Sequence, residues 1–237
     1  MPLRITTWNC KGGFERKHAD VIALEPDIAV LPEAGRFTGV PQVFGAKPVN
    51  SYEWIGDNTR KGLGVISYGN YEISIHESYD SSLRWILPLK VTGPHSFTLF
   101  AVWTIPHPVT RYYISCLFEA CDIYRSIFEK ENVIIAGDFN QSVIFDKPRS
   151  NINYSNLLND FSSFGLSSLY HLSRKCEHGL ELEPTFFLHH NLEKPFHIDY
   201  IFANSVIYQK GFDVSVGAHA EWIKLSDHMP LTCTFNI

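Results

Sequence analysis

Apolar residues fall along this chain in short runs, broken by polar residues at intervals too brief for a fold built mainly of long helices. LRITTW (3–8), DIAVLP (27–32), GLGVIS (62–67), RWILPLKV (84–91), SFTLFAVW (96–103), NVIIAG (132–137) and HIDYIFA (197–203) each read as a strand. The last run, PLTCTFNI, alternates Leu231, Cys233 and Phe235 with Thr232, Thr234 and Asn236, the signature of a half-buried strand. One longer segment has a different period. In RYYISCLFEACDIYRSIFEKE (111–131), Ile114, Leu117, Phe118, Cys121, Tyr124, Ile127 and Phe128 recur every three or four residues and form one apolar stripe, which predicts a helix. Shorter helices are expected near 15–25 and 154–164. Many strands with occasional helices predict two packed sheets with helices on the outer faces, rather than a doubly wound parallel sheet.

Composition narrows this picture. The chain has 237 residues, 45% of them hydrophobic, with no repeat, linker or low-complexity tract, so a single domain over 1–237 is expected, and a monomer is the default. The formal net charge of -5 gives the whole molecule no basic field and argues against a DNA-coating role, although local charge or metal ions could still hold a polyanion. Five cysteines at 10, 116, 121, 176 and 233 are too scattered for a zinc or disulfide framework and are read as reduced thiols. The opening MPLRITTWNC lacks the features of a secretory leader, and no span of about 18 apolar residues occurs. A soluble, cytoplasmic protein with no membrane element is therefore expected.

The candidate chemistry sits where apolar runs stop. LRITTW leads to Asn9, IAVLP to Glu33 and VIIAG to Asp138 and Asn140; HIDYIF contains Asp199, and Asp227 and His228 immediately precede the final strand. Taken singly, Asp138 and Asn140 read equally well as turn residues, and Glu33 as a surface acid. Asp199 shares a strand face with Ile201 and Ala203, so its carboxylate is expected among apolar groups and needs a partner. Either it ties down a neighbouring backbone N–H, or it orients an imidazole, for which His228 is the candidate. Glu33, Asp138, Asn140 and Asn9 offer only hard oxygens, which suit Mg2+ or Mn2+ rather than zinc. A zinc site at His189 and His190 is disfavoured, because neighbours on a strand point in opposite directions and no cysteine is suitably spaced.

In order, TTWNCKG (6–12), AVLPEA (29–34), VIIAGDFN (133–140), HIDYIF (197–202) and SDHMPL (226–231) resemble the endonuclease/exonuclease/phosphatase family, which includes pancreatic deoxyribonuclease and exonuclease III. The resemblance runs from Asn9 to His228, and GDFN with a terminal SDH is its most specific part. It implies a deoxyribonuclease-like α+β fold, a four-layer α/β/β/α sandwich of two mixed, largely antiparallel sheets flanked by helices. It also implies Mg2+-dependent attack of water on a phosphoester. By position, Glu33 looks like the principal metal ligand with Asn9 beside it, and Asp227 like an acid on the metal side. Asp138 resembles the residue that positions or deprotonates water, and Asn140 a group that holds phosphate or water. Asp199 and His228 resemble the family's Asp-His pair, with the imidazole near the phosphate where charge develops.

Two positions depart from the family's pattern. The strand before GDFN often ends in Tyr or His in family nucleases; here it ends near Thr104, with His107 three residues on. The acid found in some relatives two residues after the first Asn is replaced by Lys11, which could instead meet a phosphate. Basic residues flank the motifs, among them Arg60, Lys61 and Arg111, and Phe186, Phe187 and Trp222 could stack on a base. Lys11, Arg60, His107, Arg111 and Phe187 are thus the candidate substrate contacts. The expected activity is that of a nuclease, most simply a DNA endonuclease, with nucleic acid as its partner. The alternative is a phosphatase or phosphodiesterase acting on a small nucleotide, sugar phosphate or lipid headgroup, and the family membership suggested by the motifs does not choose between them.

Overall fold

In a computed structural model, residues 2–37, 43–44, 47–106, 109 and 113–237 are described. In chain order the strands are β1 (Leu3–Thr7), β2 (Ile28–Ala34), β3 (Val43–Phe44), β4 (Lys47–Asn58), β5 (Lys61–Tyr68), β6 (Glu72–Ile75), β7 (Ile86–Thr92), β8 (Phe97–Trp103), β9 (Val133–Asp138), β10 (Leu166–Ser168), β11 (Phe186–Phe187), β12 (Pro195–Phe196), β13 (Asp199–Asn204), β14 (Phe212–Val216) and β15 (Leu231–Phe235). Seven of them form one sheet in the order β14-β15-β1-β2-β5-β4-β3, and six form a second, β10-β13-β9-β8-β7-β6. Among the described residues, only β1 with β2 and β8 with β9 pair in parallel. The helices are α1 (His18–Ala23), α2 (Ser115–Ile123), α3 (Arg125–Lys130), α4 (Tyr154–Ser163), α5 (Leu169–Arg174), α6 (Ser205–Tyr208) and α7 (His219–Trp222).

The unbroken apolar runs have a simple cause: both faces of the central strands are covered. On β9, Ile134 and Ala136 enter the core between the sheets, while Val133 and Ile135 pack outward with Leu117, Phe128, Leu157 and Phe161 of α2, α3 and α4. On β2, Ile28 and Val30 face the central core, while Ala29 and Leu31 join Val21 of α1 and Trp222 of α7. The result is the four-layer α/β/β/α sandwich that the motifs led one to expect.

Several elements differ from the sequence reading. The expected helix over 111–131 is two, α2 and α3, because Tyr124 leaves the helical region (φ -98, ψ 15) and its hydroxyl accepts the backbone N–H of Asp80 at 3.0 Å. The helix near 15–25 begins as a 3-10 turn at Phe14–Arg16 before α1. Strands β4, β6 and β14 carry no continuous apolar run that marks them in the sequence. β4 is long, but β3 covers its outer edge only at Lys47 and Pro48 and its residues are half-buried or exposed, so polar residues such as Asn50, Ser51 and Glu53 mask the alternation. No described helix is long and apolar enough to cross a membrane.

Candidate active site

The topology gathers the strand ends at one edge of the sandwich. Parallel pairing of β1 with β2 carries Asn9 and Glu33 to the same end, and the chain beyond β1 keeps following β2 through Cys10 N to Pro32 O (3.1 Å) and Gly12 N to Glu33 O (3.1 Å). Parallel pairing of β8 with β9 likewise brings Thr104 beside Asp138. Antiparallel pairing of β9 with β13 sets Asp138 directly opposite Asp199. Gly137 makes the close approach of β8 possible: a Cβ there would lie 1.9 Å from the carbonyl oxygen of Val102, and its φ of 153 is open to glycine alone. The chain turns three residues later than Gly137, at Asn140, whose φ is 48.

Asp138 is buried and its carboxylate is densely bonded. Oδ2 accepts from Asn9 Nδ2 (2.8 Å) and Asn140 Nδ2 (3.0 Å), and Oδ1 from the Asn140 backbone N–H (2.9 Å). Asn140 Nδ2 also donates to Thr104 O (3.1 Å), which locks its amide in place. Asn9 Oδ1 accepts the Lys11 N–H at 3.0 Å. Two carboxylates opposite one another repel, and the imidazole of His228 resolves this conflict. Its Nδ1 lies 2.9 Å from Asp199 Oδ2, and its Nε2 lies 3.9 Å from Asp138 Oδ2. With Nδ1–H donating to Asp199, Nε2 is the nitrogen turned toward Asp138.

The electrostatics follow from that sandwich. Burial and the charge of Asp199 push the Asp138 carboxyl up to about 7, against the lowering influence of His228 and Asn9. Burial disfavours the charged form of His228, but Asp199 and Asp138 outweigh it and raise the imidazole to about 9. Backbone bonds fix the loop that carries His228. Trp8 Nε1 donates to its carbonyl (2.9 Å), its N–H donates to Ser226 Oγ (3.1 Å), and Ser226 Oγ donates to Asn9 O (2.8 Å). Thr185 Oγ1 accepts the N–H groups of Ile198 (3.0 Å) and Asp199 (3.1 Å), and Thr185 O takes Met229 N–H at 2.7 Å.

Around this core the other candidates divide. Glu33 sits at the bulge where the β2–β5 register shifts, with φ 60, and its Oε2 is 2.8 Å from Lys61 Nζ. Asp227 turns to Lys11, with Nζ to Oδ2 at 2.7 Å; burial would raise its carboxyl, but the Lys11 bond and the His228 charge leave it lowered. Lys11 Nζ also contacts His190 Nε2 at 2.9 Å, so Asp227 and His190 already hold the cation that the sequence assigned to a phosphate. Arg60 stands exposed beside the β4–β5 turn, where its N–H bonds Asn58 Oδ1 (3.0 Å). Phe187 does not reach the site: it is buried in the outer core, edge-on to His219 at 4.4 Å. Its neighbour Phe186 faces the site, its ring 4.5 Å from that of His228, because strand alternation sends adjacent side chains to opposite faces. His107 and Arg111 lie outside the described residues.

In the sequence Lys61 is one of several basic residues that flank the motifs. Its role depends on register: Ala34 pairs with Gly62, which sets Lys61 beside Glu33, and its Nζ lies 5.3 Å over the Trp103 ring. Nothing local to the chain signals that pairing.

No family model and no curated protein sequence matches the chain. Solved structures do, over almost its full length. The 3′ phosphatase NExo from Neisseria, solved with a product DNA hairpin, has a TM-score of 0.72 at 16% identity, with 99% of this chain and 100% of that one covered. An endonuclease/exonuclease/phosphatase from Beutenbergia cavernae gives 0.61 at 18% identity over 98% of this chain and 71% of that one. The AP endonuclease LMAP from Leishmania major gives 0.70 at 12% identity over 99% and 87%. At these identities the likeness is one of fold.

Proposed function

On a chain whose fold is that of the endonuclease/exonuclease/phosphatase proteins, we propose a metal-dependent hydrolysis of phosphodiester bonds in nucleic acid, DNA foremost, at the strand-end site. The carrying observation is the buried His228 imidazole suspended between Asp199 and Asp138. The donor set fits a hard divalent ion, Mg2+ or Mn2+. Glu33 and Asn9 would hold it, and the buried Asp199 Oδ1, which has no hydrogen-bond partner, adds unspent negative charge nearby. When bound, such an ion supplies Lewis acidity at a phosphoryl oxygen.

The chain's own groups do the rest. Asp138, titrating at about 7, is poised to accept a proton from water in neutral solution, and Asn9 and Asn140 hold its carboxylate in one orientation. His228, cationic up to about 9, faces charge developing on the phosphate with Nε2–H, while Asp199 keeps Nδ1–H fixed. Phe186 covers the imidazole face, and Phe196 and the exposed Phe145 continue the row at centroid spacings of 6.3 and 5.3 Å, a platform on which bases can stack. That row favours a polymeric substrate. A small phosphoester is the second reading, favoured by the net charge of -5 and by the engagement of Lys11 with Asp227.

Supercoiled plasmid, single-stranded DNA and RNA, each incubated with Mg2+ or with a chelator, test this. Chelator-sensitive cleavage is expected, and it should vanish in Asp138→Asn and His228→Ala. Phosphate release from a metabolite panel with no polymer cleaved would select the second reading instead. We also read the chain as one domain acting as a monomer inside the cell, where its five free cysteines would stay reduced.

A further inference from the structure

On the side of β13 opposite Asp199 lies a second cluster that the strand-end chemistry does not use. His171 on α5 and His178 and Glu181 in the following loop bring one ligand atom each to within 4.8 Å of one another. Tyr200 lines this side, 6.2 Å from the His171 ring and 6.0 Å from that of His178, whereas Asp199 faces the inter-sheet core. His171 Nε2 is 2.9 Å from Glu181 Oε1, and Gly179 N–H holds the same oxygen at 3.0 Å. The His178 ring stacks on His171 at 3.5 Å, with its Nδ1 buried and without a hydrogen-bond partner. His197 stands in the same group of rings, 5.9 Å from His171; it is 3% exposed, its Nδ1–H donates to Glu183 O at 2.8 Å, and its Nε2 is also buried without a partner.

We propose that His171, His178 and Glu181 form a second metal site, separate from the strand-end centre, that takes a borderline transition ion of the Zn2+ type, with His197 Nε2 as the buried donor for a fourth position. Imidazole nitrogens with a single carboxylate select such an ion over Mg2+, which prefers oxygen alone. Donors about 2.0–2.1 Å from a tetrahedral ion lie roughly 3.3 Å apart. The 2.9 Å pair therefore opens slightly while His178 turns off the His171 face, a movement that Gly179 (φ 89) permits at the next residue. The proton on His171 has somewhere to go. Ser168 Oγ lies 2.7 Å from Nδ1 and can donate or accept, so the ring can shift its hydrogen from Nε2 to Nδ1 when the ion takes Nε2. Such an ion would staple α5 to the loop that leads to Thr185, which holds the backbone of Asp199. The role is structural.

The test uses the full untagged chain, stripped with chelator and then equilibrated with Zn2+ in excess Mg2+. Metal content after gel filtration should be about one Zn2+ per chain in the wild type and in Glu33→Gln and Asp138→Asn, and near zero in His178→Ala and Glu181→Gln. Co2+ in place of Zn2+ should show tetrahedral ligand-field absorption that the last two variants lose. Zn2+ should raise the Tm of the wild type but not of Glu181→Gln, which serves if His178→Ala does not fold. Absence of Zn2+ binding in the wild type would overturn the proposal, as would binding lost in Asp138→Asn and kept in Glu181→Gln. Either result leaves the nuclease reading standing, since Mg2+-dependent cleavage is measured separately.

Discussion

Asp199→Asn isolates the charge that keeps His228 cationic. The variant keeps the shape of the side chain and removes the negative charge 2.9 Å from Nδ1. In the native protein the imidazole rises from its ordinary 6.5 to about 9, a difference worth roughly 3 kcal/mol. Asp199 makes the largest contribution to that rise, and burial opposes it, so without Asp199 the imidazole should fall well below 9, toward its ordinary 6.5. At pH 8 the cationic fraction would then fall from about nine-tenths to about 3%, a loss of roughly 30-fold in rate from protonation alone, and about 100- to 1,000-fold once misorientation is added. The native kcat/KM should rise with pH through about 7, as Asp138 loses its proton, and fall through about 9, as His228 does. In the variant the descending limb moves to the acid side, so the ratio of variant to native rate recovers between pH 8 and pH 6. The assay is a pH profile of oligonucleotide cleavage, paired with NMR titration of the labelled imidazole. An imidazole still titrating near 9, with equal loss of rate at both pH values, would refute this account. Stability carries the same sign. The raised imidazole stabilises the fold fully below 6.5 and loses that contribution as pH rises through about 9, so native urea midpoints should fall over that window and those of Asp199→Asn should not.

Three other outcomes are expected. Phe186→Ala should weaken oligonucleotide cleavage by roughly 5- to 150-fold, the value of about 1–3 kcal/mol for one stacked base, and leave hydrolysis of a small aryl phosphodiester nearly unchanged; equal loss on both substrates would place Phe186 in support of His228 alone. Lys61→Gln frees the Glu33 carboxylate from a half-exposed ion pair, so apparent Mg2+ affinity in a cleavage titration should tighten by roughly 1.4- to fivefold, matching a pair worth ~0.2–1 kcal/mol; weaker binding would mean that Lys61 supports the ion. Gly137→Ala drives a methyl into the Val102 carbonyl, and urea denaturation should show a loss of about 3 kcal/mol or more; a loss below about 1 kcal/mol would show that β8 and β9 can part without cost.

The amino-acid sequence by itself determined the strands that are buried on both faces and the residues that end them. A run such as Val133–Ala136 is apolar at every position because helices cover one side and a second sheet the other, and that demand is written locally. Asn9, Asp138, Asn140, Asp199 and His228 were legible for a related reason: each lies within an apolar run or at one of its ends, and together they match the family's motif order. Tertiary structure alone decided how these groups divide the labour. Register put Asp138 opposite Asp199 and left His228 to separate them, turned Phe186 and not Phe187 toward the imidazole, and set Lys61 rather than Arg60 against Glu33. It also drew His171, His178 and Glu181 together behind β13. Those distinctions depend on which strands are neighbours and on which face each residue occupies, and a shift of one residue reverses the face. Burial then converts such contacts into charge, moving a carboxyl to about 7 and an imidazole to about 9, which residue identity alone does not specify.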